Sequence, residues 1–376
     1  MTIGIDARLY GPKWGGGGLG RYVEELVQNL QQIDTKNRYV LFLKPENFDA
    51  CTITNKNFHK VKVNAHWYTF KEQLVMPRLI KKAKVDLMHY PHWNVPLASD
   101  VPFIVTIHDL ILLEDPGSAK ATTLGPILYG LKRMGFIRVL KHAVHASKAI
   151  IAVSEYTKGS ILNHFDISPE KIHTVYEGVS LLHNRPASPS VVPVIANEPY
   201  FLYVGSAYPH KNLESLLHAF SFFVQEHPEV TLVLVGRDDS FYKKLHREVI
   251  EIGIPEGRVV FPGFVPDAAL ASLYAHAALY LYPSRIEGFG LPPLEAMQFG
   301  TPVAAARSSS LPEVLGDAAI YFDPDNIEEM VEVMEKCTSE QGPREARVKK
   351  GLEQTKKYSW SQMAKETRSV YEQFGG

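Results

Sequence analysis

Two carboxylates, Glu287 and Glu295, flank the segment Gly288-Phe289-Gly290-Leu291 and the pair Pro292-Pro293 that follows it. The short apolar run from Ala278 to Tyr282 reads as a buried strand feeding this glycine turn. Pro292-Pro293 then open a helix that Gly300 closes, since proline suits the first helical position and glycine the position past the last. On this reading Glu295 stands in the first helical turn. A strand, a glycine turn and a helix N-terminus together make an anion site, where backbone N–H groups and the positive end of the helix dipole converge. An anion site bordered by carboxylates suits a ligand that is part phosphate and part polyol. Phosphate takes the N–H groups of the turn, and Glu287 and Glu295 accept hydrogen bonds from sugar hydroxyls. Each feature alone is ordinary in an α/β protein; the joint pattern is much rarer.

Other residues could serve the same ligand. Lys211 lies in Gly205-Ser-Ala-Tyr-Pro-His-Lys-Asn-Leu213, again after a strand and at the start of a helix buried by Leu213, Leu216, Leu217, Phe220 and Val224. A cation at a helix N-terminus opposes the local dipole unless an anion is bound, which favours a phosphate ligand over a solvated surface lysine. Four glycines, Gly15 to Gly18, follow the first strand and open the first helix, letting backbone approach a ligand closely. They satisfy a dinucleotide fingerprint only loosely. His108-Asp109 end the strand Phe103–Ile107, although a lone histidine is more often structural than catalytic. His89 and His92 end an earlier strand; with no third ligand in sight they make no zinc site, and an acceptor-side wall is the favoured reading. Asp323-Pro324-Asp325 is ordinary turn chemistry rather than a metal-binding DxD.

Glu287-x7-Glu295 around Gly-Phe-Gly-Leu-Pro resembles the signature of the retaining, nucleotide-sugar-dependent glycosyltransferases of family 4, which have the GT-B fold. The resemblance implies a hexosyltransferase using UDP-glucose or GDP-mannose, with Glu287 and the backbone of Gly288, Phe289, Gly290 and Leu291 on the donor sugar and Glu295 on the ribose. It implies that Lys211 grips the donor diphosphate and that Gly16, Gly17 and Gly18 cover the phosphates from the opposite domain. It puts His108 on the donor sugar, oriented by Asp109. His108, Lys211 and Glu287 are thus the catalytic candidates, and His89, His92 and Asp109 the acceptor-side ones. The chain departs from the pattern at Ser206 and His210, where arginines are common. No metal and no cofactor is expected, because Lys211, the turn N–H groups and the helix dipole can take the charge of the leaving diphosphate. No carboxylate is an obvious nucleophile, so a front-face transfer with retention is favoured. A sugar-nucleotide 2-epimerase of the same fold and a non-catalytic sugar-binding protein are the alternatives; Glu287, Glu295 and Lys211 together argue against the second.

The elements that must position these residues alternate between strand-like and helical runs, which argues for parallel sheets flanked by helices. The fold class expected is α/β, two doubly wound Rossmann-like domains facing a cleft. Strands fit Thr2–Ala7, Tyr39–Leu43, Val85–His89, Phe103–Ile107, Ala149–Val153 and Ile172–Tyr176, then Phe201–Val204, Thr231–Val235, Arg258–Phe261, Ala278–Tyr282, Val303–Ala305 and Ala319–Phe322. The division expected is an acceptor-side domain 1–182, a proline-rich linker 183–199 and a donor-binding domain 200–359. By the family resemblance, a terminal helix 360–374 packs back on the first domain.

Composition agrees with this. The chain has 376 residues, 45% of them hydrophobic, and two cysteines, Cys51 and Cys337, which suit a reducing cytoplasm and offer no disulfide framework. No signal peptide or membrane-spanning run is visible. The net charge of −1 hides a split: residues 1–180 hold 22 Lys and Arg against 16 Asp and Glu, and the remainder 18 against 25. The stretch between Asp115 and Glu155 has no acidic residue but holds Lys120, Lys132, Arg133, Arg138, Lys141 and Lys148; Arg78, Lys81, Lys82 and Lys84 form a second cluster. This reads either as a solvated face or as a surface for anionic lipid or a pyrophosphate-linked acceptor at the inner face of the membrane. Nucleic acid is not an expected partner, since no aromatic-interleaved binding module is present.

Overall fold

The structure, a computed structural model, describes residues 1–119, 126–179, 198–339 and 341–375. The linker assigned to 183–199 lies outside the described residues apart from Glu198 and Pro199. The chain divides into two compact units. The first comprises Met1–Leu110, Thr122–Gly178 and Ser359–Gly376, and the second Ile111–Ala121 and Val179–Tyr358.

The strands are β1 (Thr2–Asp6), β2 (Arg38–Leu43), β3 (Phe58–Lys62), β4 (Leu87–Tyr90), β5 (Phe103–Ile107), β6 (Ala149–Ala152) and β7 (Ile172–Thr174) in the first unit. In the second they are β8 (Tyr200–Val204), β9 (Thr231–Val235), β10 (Val259–Gly263), β11 (Leu279–Tyr282), β12 (Val303–Ala306) and β13 (Ala319–Phe322). The helices, in chain order, are α1 (Pro12–Gly15), α2 (Gly18–Ile33), α3 (Phe70–Ala83), α4 (Ile111–Glu114), α5 (Pro116–Ala119), α6 (Pro126–Ala146), α7 (Glu155–His164) and α8 (Leu213–Glu226). They continue as α9 (Ser240–Glu251), α10 (Asp267–His276), α11 (Leu291–Gln298), α12 (Leu311–Leu315), α13 (Ile327–Ser339), α14 (Gln341–Thr355) and α15 (Trp360–Phe374).

Both sheets are parallel and share one order: β3-β2-β1-β4-β5-β6-β7 and β10-β9-β8-β11-β12-β13. In each, strand order reverses beside the first strand, between β1 and β4 and between β8 and β11; such a reversal opens a crevice at the carboxyl ends of the strands. The strands read as near-continuous apolar runs because parallel sheets are covered on both faces; all five residues of β9, Thr-Leu-Val-Leu-Val, are buried. The edge strands are less covered: only Ile172 is buried in β7 and no residue of β10, and β3, Phe-His-Lys-Val-Lys, with only Phe58 buried, is also the most polar. The sequence reading missed it for that reason.

In the first unit α15 packs on α2, Trp360, Met363, Ala364, Thr367, Val370 and Tyr371 being buried on its inner side. Its entry needs a glycine at 178, where a Cβ would fall 2.1 Å from the Trp360 nitrogen. A polar chain runs from α15 into the sheet: Tyr371 Oη lies 2.6 Å from His89 Nδ1, His89 Nε2 2.8 Å from Thr106 Oγ1, and Thr106 Oγ1 3.1 Å from the Tyr22 hydroxyl. The segment Ile111–Ala121, expected with the first domain, clusters with the second unit. The Ser118 hydroxyl accounts for this, accepting the His210 N–H at 3.1 Å and meeting His210 Nδ1 at 2.8 Å.

Candidate functional site

The strand-order reversal of the second unit is built from two loops. One leaves β8 and carries Gly205 to Lys211, ending in a 3-10 turn, Pro209–Lys211. The other leaves β11 and leads through Pro283–Gly290 into α11. Lys211 Nζ donates to Glu287 Oε1 at 2.5 Å and to the Tyr282 hydroxyl at 3.3 Å. The two side chains are 14% and 9% exposed. Burial pushes the Glu287 carboxyl up, but the charge and hydrogen bond of Lys211 overcome this and hold it below its ordinary value. His210 is different. Burial and the neighbouring Lys211 push its pKa down to about 4, so at neutral pH Lys211 stands beside an uncharged imidazole.

The Glu287 loop is tied down by residues beyond β12. The Glu287 N–H donates to Ser309 Oγ at 2.9 Å, and the Ser310 hydroxyl donates to the carbonyls of Glu287 and Phe289 at 3.0 and 3.1 Å. The Arg285 N–H donates to the His210 carbonyl at 2.8 Å, joining the two loops. Gly290, the residue before α11, has φ 99°, a left-handed conformation open to glycine, and its Cβ would come 2.8 Å from Leu311 Cδ2. The loop therefore delivers the N-terminus of α11 directly after Glu287–Gly290; Pro292 and Pro293 carry no N–H, so Leu291 supplies the one backbone donor among the first three helical residues. Glu295 is buried on α11, and the Tyr274 hydroxyl donates to its Oε2 at 3.1 Å. A held ammonium, a carboxylate and a helix start at one strand-end crevice can bind a phosphate group and the hydroxyls beside it.

In the first unit His108 ends β5 with both ring nitrogens engaged: Nδ1 lies 2.9 Å from Glu177 Oε1 and Nε2 3.0 Å from the Pro91 carbonyl. Both partners are acceptors, so the ring faces them as a donor on each side. Burial pushes its pKa down, and the hydrogen bond and charge of Glu177 more than reverse this, leaving it raised. Tyr22 meets the ring edge-on, 4.7 Å between centroids. Gly16 and Gly17, with φ 77° and 73°, form an exposed left-handed turn between α1 and α2, and Gly18, also exposed, begins α2.

Comparison with known proteins gives this arrangement a context. Residues 16–181 match the family described as Glycosyltransferase Family 4, and residues 185–354 match that described as Glycosyl transferases group 1. The chain belongs to glycosyltransferase family 4. It is 28% identical to an O-antigen chain mannosyltransferase B of Escherichia coli, over 94% of this chain and 95% of that one. It is 30% identical to an MMP alpha-(1->4)-mannosyltransferase of Mycolicibacterium hassiacum, over 72% of this chain and 65% of the relative. Among solved structures it superposes on a sucrose-phosphate synthase of Thermosynechococcus elongatus with TM-score 0.79 at 19% identity, covering 99% of this chain and 98% of that one. It superposes on Anabaena HepE in complex with UDP and glucose with TM-score 0.75 at 18% identity, covering 99% and 100%. The fold is that of GT-B glycosyltransferases.

Within the transferase, the structure brings Lys211, Glu287 and the Gly288–Leu291 turn together and sets Glu295 on the following helix. Glu295 falls in the second turn of α11, not the first, because the helix already begins at Leu291; its acidity is thus unrelated to capping. Lys211 ends a 3-10 turn rather than opening α8, and its charge partner within the chain is Glu287. Ser206 follows β8, its carbonyl accepting from the Tyr203 hydroxyl at 2.7 Å. His89 is fully buried with both ring nitrogens bonded, which leaves no atom for an acceptor; it belongs to the core. The orienting hydrogen bond to His108 comes from Glu177 and not from Asp109. His92 is half-buried among aromatic rings, and burial, with the charge of His108, pushes its pKa down to about 3. Asp325 accepts from Arg285 at 2.9 and 2.6 Å, and Asp323 accepts the Asp325 N–H. Sequence reasoning missed Glu177, Tyr282 and the Ser308-Ser309-Ser310 run. Three serines one residue past an apolar strand were the one visible signal.

Proposed function

We propose that this glycosyltransferase moves a hexose, mannose before glucose, from a nucleoside diphosphate sugar to a hydroxyl of a growing glycan, retaining the anomeric configuration. The Lys211–Glu287 pair at the β8/β11 reversal carries the reading. Likeness to mannosyltransferases along nearly the whole chain is the reason to rank GDP-mannose above UDP-glucose. Lys211 Nζ and the Leu291 N–H at the positive end of α11 take the negative charge that grows on the departing diphosphate, a stabilisation greatest in the transition state. Glu287, kept ionised by Lys211, accepts hydrogen bonds from the donor sugar, and Glu295 accepts from the ribose. The departing phosphate oxygen takes the acceptor proton on the same face of the sugar. The reaction needs no metal ion.

A membrane-associated acceptor is the second part of the proposal. Lys132, Arg133, Arg138 and Lys141 are all exposed on α6, and Leu131 and Met134 beside them are 57% and 63% exposed. Basic residues interleaved with exposed apolar ones suit the headgroup layer of an anionic cytoplasmic leaflet. Among the described residues no helix is long and apolar enough to cross a membrane. A transfer assay with GDP-mannose and UDP-glucose in parallel tests the donor. Faster turnover of UDP-glucose would overturn the mannose assignment, and turnover of neither would overturn the function.

A further inference from the structure

Four non-glycine residues among those described have a positive φ: Tyr68, Lys84, Asn212 and Ser309. Lys84 and Asn212 lie at helix ends, where a left-handed residue closes the last turn. Ser309, at φ 49°, lies instead between β12 and α12. The Leu311 N–H donates to the Ser308 carbonyl at 3.2 Å, which makes Ser309 and Ser310 the central residues of a tight turn. Ser310 has φ −74° and ψ −12°. A positive φ followed by these angles matches a type II′ turn, whose first central position is dominated by glycine. Glycine would take that position with no Cβ penalty, whereas serine is strained there.

What the serine gains is a hold on Glu287. Ser309 Oγ accepts the Glu287 N–H at 2.9 Å, and Ser310 Oγ, on a fully buried residue, donates to the Glu287 and Phe289 carbonyls at 3.0 and 3.1 Å. Ser308 Oγ donates to the Ser284 carbonyl at 2.7 Å. The peptide groups on both sides of the Glu287 Cα are thus gripped, while its carboxylate meets Lys211. Of the three serines, Ser309 holds the amide on the N-terminal side, and it does so from a left-handed backbone. A glycine in its place would relax the turn and leave the Glu287 N–H to water. Strain that persists beside a functional group points to a role for the residue that bears it.

We propose that Ser309 is a positioning residue for the transfer: its hydroxyl fixes the Glu287 backbone, so that the carboxylate meets the donor sugar in one place. The inference rests on the reading of Glu287 as the group that accepts from the donor-sugar hydroxyls, and it adds what aims that group. A carboxylate displaced by a fraction of an ångström loses much of its effect on turnover. The phosphate side of the ligand belongs to Lys211 and the start of α11, so sugar and phosphate contacts can be read apart.

The test uses the full chain with whichever of GDP-mannose and UDP-glucose it turns over, and compares Ser309→Gly with Ser309→Ala. Both variants lose the hydroxyl, and only the alanine keeps the strained φ. Both are expected to lower kcat about tenfold, the scale of one hydrogen bond, with affinity for the free nucleoside diphosphate within about twofold of wild type. Ser309→Gly is expected to unfold at a higher urea midpoint than Ser309→Ala. Low turnover in the firmer of the two folds is a result that a merely structural serine does not give. In a Glu287→Gln background, Ser309→Gly should lower kcat by less than about twofold more, because it acts through the carboxylate already changed.

Wild-type turnover in Ser309→Gly overturns the proposal. So does an equal loss of nucleotide affinity, a glycine variant no firmer than the alanine one, or losses that multiply in the double variant. If Glu287→Gln alone transfers at the wild-type rate, the reading of Glu287 fails and this inference fails with it. A crippled Glu287→Gln beside a normal Ser309→Gly sinks the role of Ser309 alone.

Discussion

Lys211 and Glu287 hold each other at 2.5 Å in a largely buried setting, so each substitution acts on the partner left behind. Lys211→Ala should lower kcat/KM by about 2–4 kcal/mol, the scale of losing an oxyanion donor; near-normal turnover in a folded variant would remove Lys211 from the reaction. It should also destabilise the fold, because Glu287 is then a buried charge without its cation. Lys211→Met combined with Glu287→Gln should recover part of that loss, and urea midpoints of the singles and the double measure the coupling. The pH dependence has a definite sign. The folded pKa of Glu287 lies below the unfolded value of 4.5, so its contribution is present above pH 4.5 and is lost as pH falls through the folded value. Wild type should therefore lose more stability than Glu287→Gln between pH 4.5 and the acid transition; parallel curves would contradict the pairing. Glu287→Gln should chiefly lower turnover and Glu295→Gln chiefly weaken nucleotide affinity. Identical effects on free-nucleotide binding would refute that division.

At the scale of elements, the strand–turn–helix unit Leu279–Gln298 positions the chemistry, and Gly290 is its tightest point. Gly290→Ala forces a side chain into φ 99° and against Leu311, and should cost about 1–3 kcal/mol in chemical denaturation. An unchanged midpoint would mean that the loop can relax and that the α11 N-terminus is less firmly aimed than described. This unit was legible in the sequence because its signals are local: an apolar run, glycines needing positive φ, prolines at a helix start, and Gly300, which has φ 76°. What local signals do not carry was missed. The partner of Lys211 is 76 positions away and that of His108 is 69 away, so neither Glu287 as a counter-ion nor Glu177 as an orienting group leaves a periodic trace. Strand β3 escaped because an edge strand keeps only one face covered and can be mostly Lys and His. His89, at a strand end, reads from the sequence as part of an acceptor-side wall, but α15, arriving from the other end of the chain, covers it with Tyr371. Glu295 was misplaced by one turn because helix starts are read less reliably than helix existence.

Over the whole molecule the charge is uneven, basic in the first 180 residues and acidic beyond. If the exposed Lys132, Arg133, Arg138 and Lys141 meet an anionic leaflet, each contributes about 1 kcal/mol at low salt and less as the screening length shortens. Flotation with anionic vesicles should carry the protein at low salt and release it at high salt. Indifference to vesicles at low salt would make α6 an ordinary solvated face and the acceptor a soluble one. Two parallel sheets each carry a strand-order reversal, and the one in the second unit holds the Lys211–Glu287 pair. The most direct test of the central claim is a transfer assay with GDP-mannose and a neutral mannose oligosaccharide in excess EDTA, with the anomeric configuration of the product read by NMR. The expected result is a saccharide longer by one α-linked mannose, formed without added metal and abolished in Lys211→Ala. Failure to transfer from any nucleoside diphosphate sugar, or transfer only after manganese or magnesium is restored, would contradict it.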